Sequence, residues 1–437
     1  MNNDTPELNE TPTQAPETSI EMPDNEGITP EDGKKTNSKT IAISGALLLV
    51  ILVTVIAVTM TLNMNKKSDE GGGNGGGSSV VDGGDDTVNT ELSSGTVTTT
   101  IDGKTVSYSG AYVVDGIEAT INSGTYESAT DNQVVFLVIN GGKLTINEGV
   151  VINKSGSEEF QGRGDNYSFY GLNSAIVVVG EGSSATIDGA LINTTVSGAN
   201  AVVATKNGTV TINNSTITTT KDGSRGLHAT YGGTIKSNST SISTKGQSSA
   251  ALATDRGSGT VEANDMKLST AGAGSPLIYS TGDIKVTSST GTSTGAQIAV
   301  VEGKNSITID DCDFLTNGIG NRNNVDNAAV MIYQSMSGDA SVGVGSFTAS
   351  DSLFTVLSDS EQYQTVPFFF VTNTTAEITL DGVKMDFYEN GYFILASGTN
   401  EWGNVGQNGG IVTVNATNIG TTSSEIGVDE ISSVTGL

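Results

Sequence analysis

Short apolar runs punctuate the chain at nearly regular intervals. They begin at Val135, Ala175, Ala201, Gly226, Ala250, Pro276, Gln297, Val330, Phe368 and Tyr392, and read VFLVI, AIVVV, AVVAT, GLHAT, AALAT, PLIYS, QIAVV, VMIYQ, FFFVT and YFILA. Five of the nine intervals are 24 to 26 residues, a period that marks stacked repeats. Within a period the apolar run is followed by turn residues, then by an alternating segment such as TVTI from Thr209, then by Asn or Asp, then by a third short run such as STITT. Three strands and three corners per repeat describe one coil of a parallel β-helix. About eleven coils at ~4.8 Å each predict an all-β solenoid roughly 50 Å tall.

The sharpest corner follows the second strand, with Asn122, Asn147, Asp188, Asn213, Asn238, Asn264, Asp310, Asp381 and Asn415 at equivalent places. Asn and Asp tolerate left-handed backbone and bond locally, so a side-chain ladder with left-handed geometry is expected there. Two residues on, Cys312 falls where other coils carry Val150, Ala190, Ser215, Thr240, Met266 and Val383. Alternation points it inward, as a buried small side chain rather than a nucleophile. The first strand breaks the alternation. Its third position is also apolar, at Leu137, Val177, Val203, Leu252, Ile278, Ala299, Ile332, Phe370 and Ile394, with His228 the exception. A strand apolar on both faces is usually covered, so either a loop packs over this ladder or a partner does.

Upstream the pattern changes. Residues 1–39 are acidic and nearly free of apolar residues, and read as a disordered cytoplasmic tail. Residues 40–62 carry no charge and would span roughly 35 Å as a helix, which predicts a single membrane crossing. Residues 63–97 are a Gly-rich flexible linker. The β-helix ectodomain is then 98–437, placed outside the cell, with its first coil (about 98–127) and C-terminal tail capping the open ends. A lone cysteine excludes an intrachain disulfide and a cysteine metal site. The chain carries −28, of which residues 1–39 contribute 3 − 9 = −6, leaving −22. A surface that binds phosphate backbones needs clustered Lys and Arg, so nucleic acid is excluded as a partner.

The phrases SRGLHATYGGTI, AALATDRGSGTV, SPLIYSTGDIKV, VVEGKNSITI, MIYQSMSGDA and FFFVTNTTAEI resemble those of a widespread group of Gram-positive, chiefly clostridial, surface proteins. These are adhesin-like right-handed parallel β-helix proteins. The similarity is close over 224–377 and looser in the flanking coils. It implies a right-handed helix at the cell surface. Members often carry Asp where His228 stands, which argues against a catalytic histidine.

Candidate chemistry lies on the corner after the first strand. Lys206, Tyr231, Asp255, Arg256, Glu302 and Lys304 fall at similar offsets on neighbouring coils, with Arg225 and the single histidine, His228, nearby. Carboxylates beside Arg could serve acid–base chemistry on a glycan, with Asp255, Arg256, Glu302 and His228 as catalytic candidates. The alternative is a corner of charges in mutual support. No dense carboxylate cluster favours the enzyme. DDCD, at 310–313, sets only Asp311 and Asp313 on one outward face, too few for calcium, so no metal and no cofactor is expected. The longest insertion, EEFQGRGDNYSFYGLN, holds Phe160, an RGD tripeptide at 163–165, Tyr167, Phe169 and Tyr170, and a later one holds Tyr363. Such loops either bind a ligand through their aromatics or cover apolar surface. Binding is assigned to Arg225, His228, Tyr231, Asp255, Arg256, Tyr167, Phe169 and Tyr170. The leading reading is a non-catalytic adhesin for a glycan or protein ligand. A polysaccharide lyase or hydrolase, and a structural envelope component, are the alternatives.

Overall fold

The computed structural model describes residues 88–157, 165–318, 327–335, 340–356, 367–386, 392–398, 411–421 and 434–435. The expected tail and membrane segment, most of the linker, Phe160, Arg163, Gly164 and Tyr363 lie outside them. Among the described residues no helix is long and apolar enough to cross a membrane.

The strands stack into three sheets, and each coil contributes one strand to each. A typical coil runs Val202–Thr205, Thr209–Asn213 and Thr216–Thr219. The first sheet has 12 strands, the second 12 and the third 10, in an order that advances by three strands at each step except at the hairpin that ends each of the first two sheets. Coil-to-coil pairing is parallel throughout, as Val202↔Leu227, Thr209↔Thr234 and Thr216↔Ser241 illustrate. The second strand obeys the alternation the sequence predicts: Val210 and Ile212 are buried while Thr209 and Thr211 face out. The core is a column of inward Val, Ile, Leu and Ala that gives way to Phe314, Phe347, Phe354, Phe368 and Phe369 in the later coils.

Two details of register differ from the sequence reading. In the first sheet His228 pairs with Ala253, then Tyr279, Val300, Met331 and Phe370 follow in the same outward column. Leu252, Ile278, Ala299, Ile332 and Ile394 therefore sit one residue off that column, and the first four belong to the inner core. The cause is physical: a strand apolar on both faces carries no alternation to fix its register. At the corner, Asp381 pairs with Thr417, so Asn415 lies inside a lengthened strand, Ile411–Thr417. Left-handed backbone falls after the corner Asn or Asp rather than on it, as at Asn214 (φ 50°), Asp265 (φ 52°) and Asp311 (φ 52°). The corner side chains themselves are extended and bond up the stack, as Asn264 Nδ2 does to Asn238 Oδ1 at 2.7 Å.

The ends are closed. At the N-terminal end Gly95–Ile101 folds back antiparallel on Lys104–Asp115. Asn89 Oδ1 accepts from the Asn122 and Ser123 amides, so residues 88–90 already pack on the first coil. At the other end Val434–Thr435 pairs antiparallel with Ile411–Thr417. The outward ladder of the first sheet is covered in two places. Ile101, Val106, Tyr108 and Tyr170 bury Leu137, Val177 and Val203. Further along, Val300, Met331, Tyr333 and Phe370 cluster with Ala328. A short helix, α1 (Asp165–Tyr170), rests on the first of these patches.

Candidate functional site on the first sheet

Between the two apolar patches the outward face of the first sheet turns polar. His228 on one coil meets Asp255 on the next, with Nε2 3.1 Å from Oδ2, and Arg225 Nη2 approaches the same oxygen at 3.1 Å. Asn200 Nδ2 lies 3.1 Å from His228 Nδ1, and its Oδ1 accepts from the Arg225 amide at 2.9 Å. An amide NH₂ only donates, so Nδ1 must accept and the ring proton sits on Nε2, aimed at the carboxylate. Burial, then the Arg225 charge, pulls the His228 pKa down to about 4, against the pull of Asp255. The ring is neutral at pH 7 and both nitrogens are engaged.

The helix α1 closes this cluster from outside. Ser168 Oγ accepts from Arg225 Nη1 at 2.9 Å, and its carbonyl accepts from Asn200 Nδ2 at 2.8 Å. The Phe169 ring stands between two guanidinium groups, 5.4 Å from Arg225 and 4.7 Å from Arg256, and 6.3 Å edge-on from His228. The Phe169 carbonyl accepts from Thr230. Tyr170 stacks on Tyr231 at 5.5 Å, while its carbonyl takes the Tyr108 hydroxyl at 2.8 Å. Burial and Tyr170 push the Tyr231 phenol up. Gly171 allows the close approach. Its φ is +74°, and a side chain there would meet Val203 at 3.0 Å.

The sequence-derived candidates thus divide. Arg225, His228, Asp255, Arg256, Tyr231, Phe169 and Tyr170 are brought together, but under cover: His228 is 0% and Asp255 2% exposed. Tyr167, Phe169 and Tyr170 are buried too, and of the two roles expected for their loop the packing matches the second, covering apolar surface. Six residues of helix cannot hide their own aromatics, and packing on the ladder is what buries them. Lys206 instead donates to Thr99 and ties down the hairpin. Lys304 is exposed and apart.

Glu302 heads a second buried cluster. It shares an outward column with Asp255, two coils on, with Thr281 between them. That spacing is about 10 Å of backbone. Tyr279 and Tyr333 donate to Oε2 at 2.5 and 3.0 Å, and Ser335 donates to Oε1. Burial raises the Glu302 pKa against those hydroxyls, and Asp255 adds to the rise. Among the described residues no three His, Cys, Asp or Glu side chains converge as metal ligands. Asp311 is held by Ser288 at 2.9 Å.

Ser168, Asn200, Tyr279, Tyr333 and Ser335 escaped the sequence reading. Asn200 does stand directly before its apolar run, and Tyr279 and Tyr333 each stand fourth in a five-residue one, which is the signal that was present. Compared with protein-family models and with curated proteins, the chain matches none.

Proposed function

We propose that this is a membrane-anchored, extracellular, adhesin-like protein whose right-handed β-helix displays a ligand-binding surface without catalysis. The handedness follows from the strong preference of parallel crossovers. The anchor rests on the uncharged segment 40–62. The observation that carries the non-catalytic reading is the burial and mutual engagement of Asp255, His228 and Glu302, which gives substrate no route to a free acid or base.

What remains open is the outer wall of the second sheet. One of its columns reads Thr120, Thr145, Thr186 and Thr211, then Lys236, Glu262 and Lys285, then Thr308, Thr348 and Thr379. The charged break adjoins a shallow groove of about 480 Å³ that also touches Asn238, Asn264 and Thr287. Lys236 and Glu262 pair across it at 3.0 Å. Hydroxyls, amides and alternating charges in register suit a hydroxyl-rich glycan better than nucleic acid or an apolar partner. No cofactor is assigned. The test is a glycan array with the full chain, and with Lys236→Ala and Glu262→Ala, beside an assay for new reducing ends or unsaturated products. Binding weakened in the variants and no product supports display. Product formation lost in Asp255→Ala would favour the second reading, a polysaccharide-cleaving enzyme, which the shared column of Asp255 and Glu302 keeps in view.

A further inference from the structure

The buried cluster turns on Asn200. Its one side chain holds three partners at once: the His228 ring through Nδ2, the Ser168 carbonyl through the same nitrogen, and the Arg225 amide through Oδ1. That arrangement works only while Nδ1 of the ring is an acceptor. A protonated ring presents N–H to an NH₂ group, two donors face to face, and adds a cation beside Arg225. Turning the amide to offer Oδ1 to the ring satisfies it but strips Ser168 of its donor and Arg225 of its acceptor.

We propose that Arg225, His228, Asp255 and Asn200 form an acid-released clasp, in which protonation of the single histidine turns Asn200, frees Ser168 and lifts residues 167–172 off Val177 and Val203. Burial and the Arg225 charge favour release, and the Asp255 contact opposes it. Arg225 and Arg256 flank Phe169, Asp255 is the carboxylate in contact with the ring, and Glu302 raises no opposing contact to it. Tyr231 and Tyr170 stack at the far end of the segment. The covering segment is short and held by polar contacts at Tyr167, Ser168, Phe169 and Tyr170, whereas the coils beneath it are held by continuous parallel ladders. Release would expose an apolar strip, Val177, Val203 and Tyr231, and leave the solenoid standing.

The sign is fixed by linkage. The ring titrates near 6.5 when solvated and at about 4 when clasped, so the closed state is fully favoured above pH 6.5 and loses ground as pH falls towards 4. Over that window the opening equilibrium should rise on the order of a hundredfold. The measurement is amide exchange on the full chain between pH 7 and 4, corrected for intrinsic rates, together with the proton NMR titration of the ring, which is unambiguous because there is one histidine. Protection of residues 167–172 should fall with the ring's own titration while the strands of the first sheet stay protected. His228→Gln, which cannot titrate, should lose that pH dependence. Equal protection at both pH values, loss of protection in all coils together, or an unchanged pH response in His228→Gln would each overturn the clasp.

Discussion

The Tyr279 hydroxyl reaches Glu302 Oε2 at 2.5 Å from the neighbouring coil, and Tyr333 reaches the same oxygen from the other side. Even with these donors, burial keeps the Glu302 pKa above the ordinary carboxylate range. A group whose folded pKa is raised is most stabilising below its unfolded pKa, and that contribution fades as pH rises through the folded value. Glu302→Gln should therefore raise the melting temperature at pH 7 and change it little at pH 4. Scanning calorimetry at the two pH values decides it; a variant that melts lower at pH 7 would contradict the assignment.

Gly171 tests the covering segment by sterics rather than by charge. At φ +74°, with Val203 and Val177 at 3.0 and 3.2 Å from the site of a new Cβ, Gly171→Ala must displace the segment or strain it. The expected cost is about 1–2 kcal/mol, confined to the local opening of residues 167–172. Exchange protection should drop there, and the main melting transition should stay where it is.

How much of this was legible follows from where alternation survives. The second strands alternate cleanly, so the period, the three-strand coil and the inward place of Cys312 could all be read from residues such as Val210, Ile212 and Met266. The first strands are buried on both faces, and there Leu252 could not be told from Ala253 as the partner of His228. The grouping of Arg225, His228 and Asp255 was visible because a period of about 25 stacks them. Ser168 was not, because it enters from an insertion whose length carries no register.

In the later coils the core changes from aliphatic to aromatic, and Phe354 is its centre. It is fully buried, with Phe314, Phe347 and Phe368 at centroid distances of 6.4, 6.3 and 6.2 Å. Phe354→Ala should cost about 3–5 kcal/mol through the cavity it leaves. In a solenoid each coil leans chiefly on its neighbours, so the loss should appear as early melting of the coils near Phe354. Exchange in the coils around His228 should be nearly unchanged, and a uniform loss would argue for one cooperative block.

Cys312 gives the most local test. Its thiol lies 3.2 Å from the Asp310 carbonyl, is 4% exposed, and is pushed up to about 11 by burial. At pH 8 the thiolate fraction is then on the order of one in a thousand, so alkylation of the native protein should be at least a hundredfold slower than in denaturant. The same column shows which replacement it tolerates. Ser289 and Ser352, its neighbours in the stack, each donate to the carbonyl two residues back at 2.6 Å, as the thiol does to Asp310. Cys312→Ser should keep that bond and the acceptance of its amide by Ser352, and shift stability by no more than about 0.5 kcal/mol. Cys312→Asp in the same place buries a charge against Asp310 and should destabilise the coil by several kcal/mol. Thermal melts of the two variants, run beside the alkylation rates, separate a packed thiol from a reactive one.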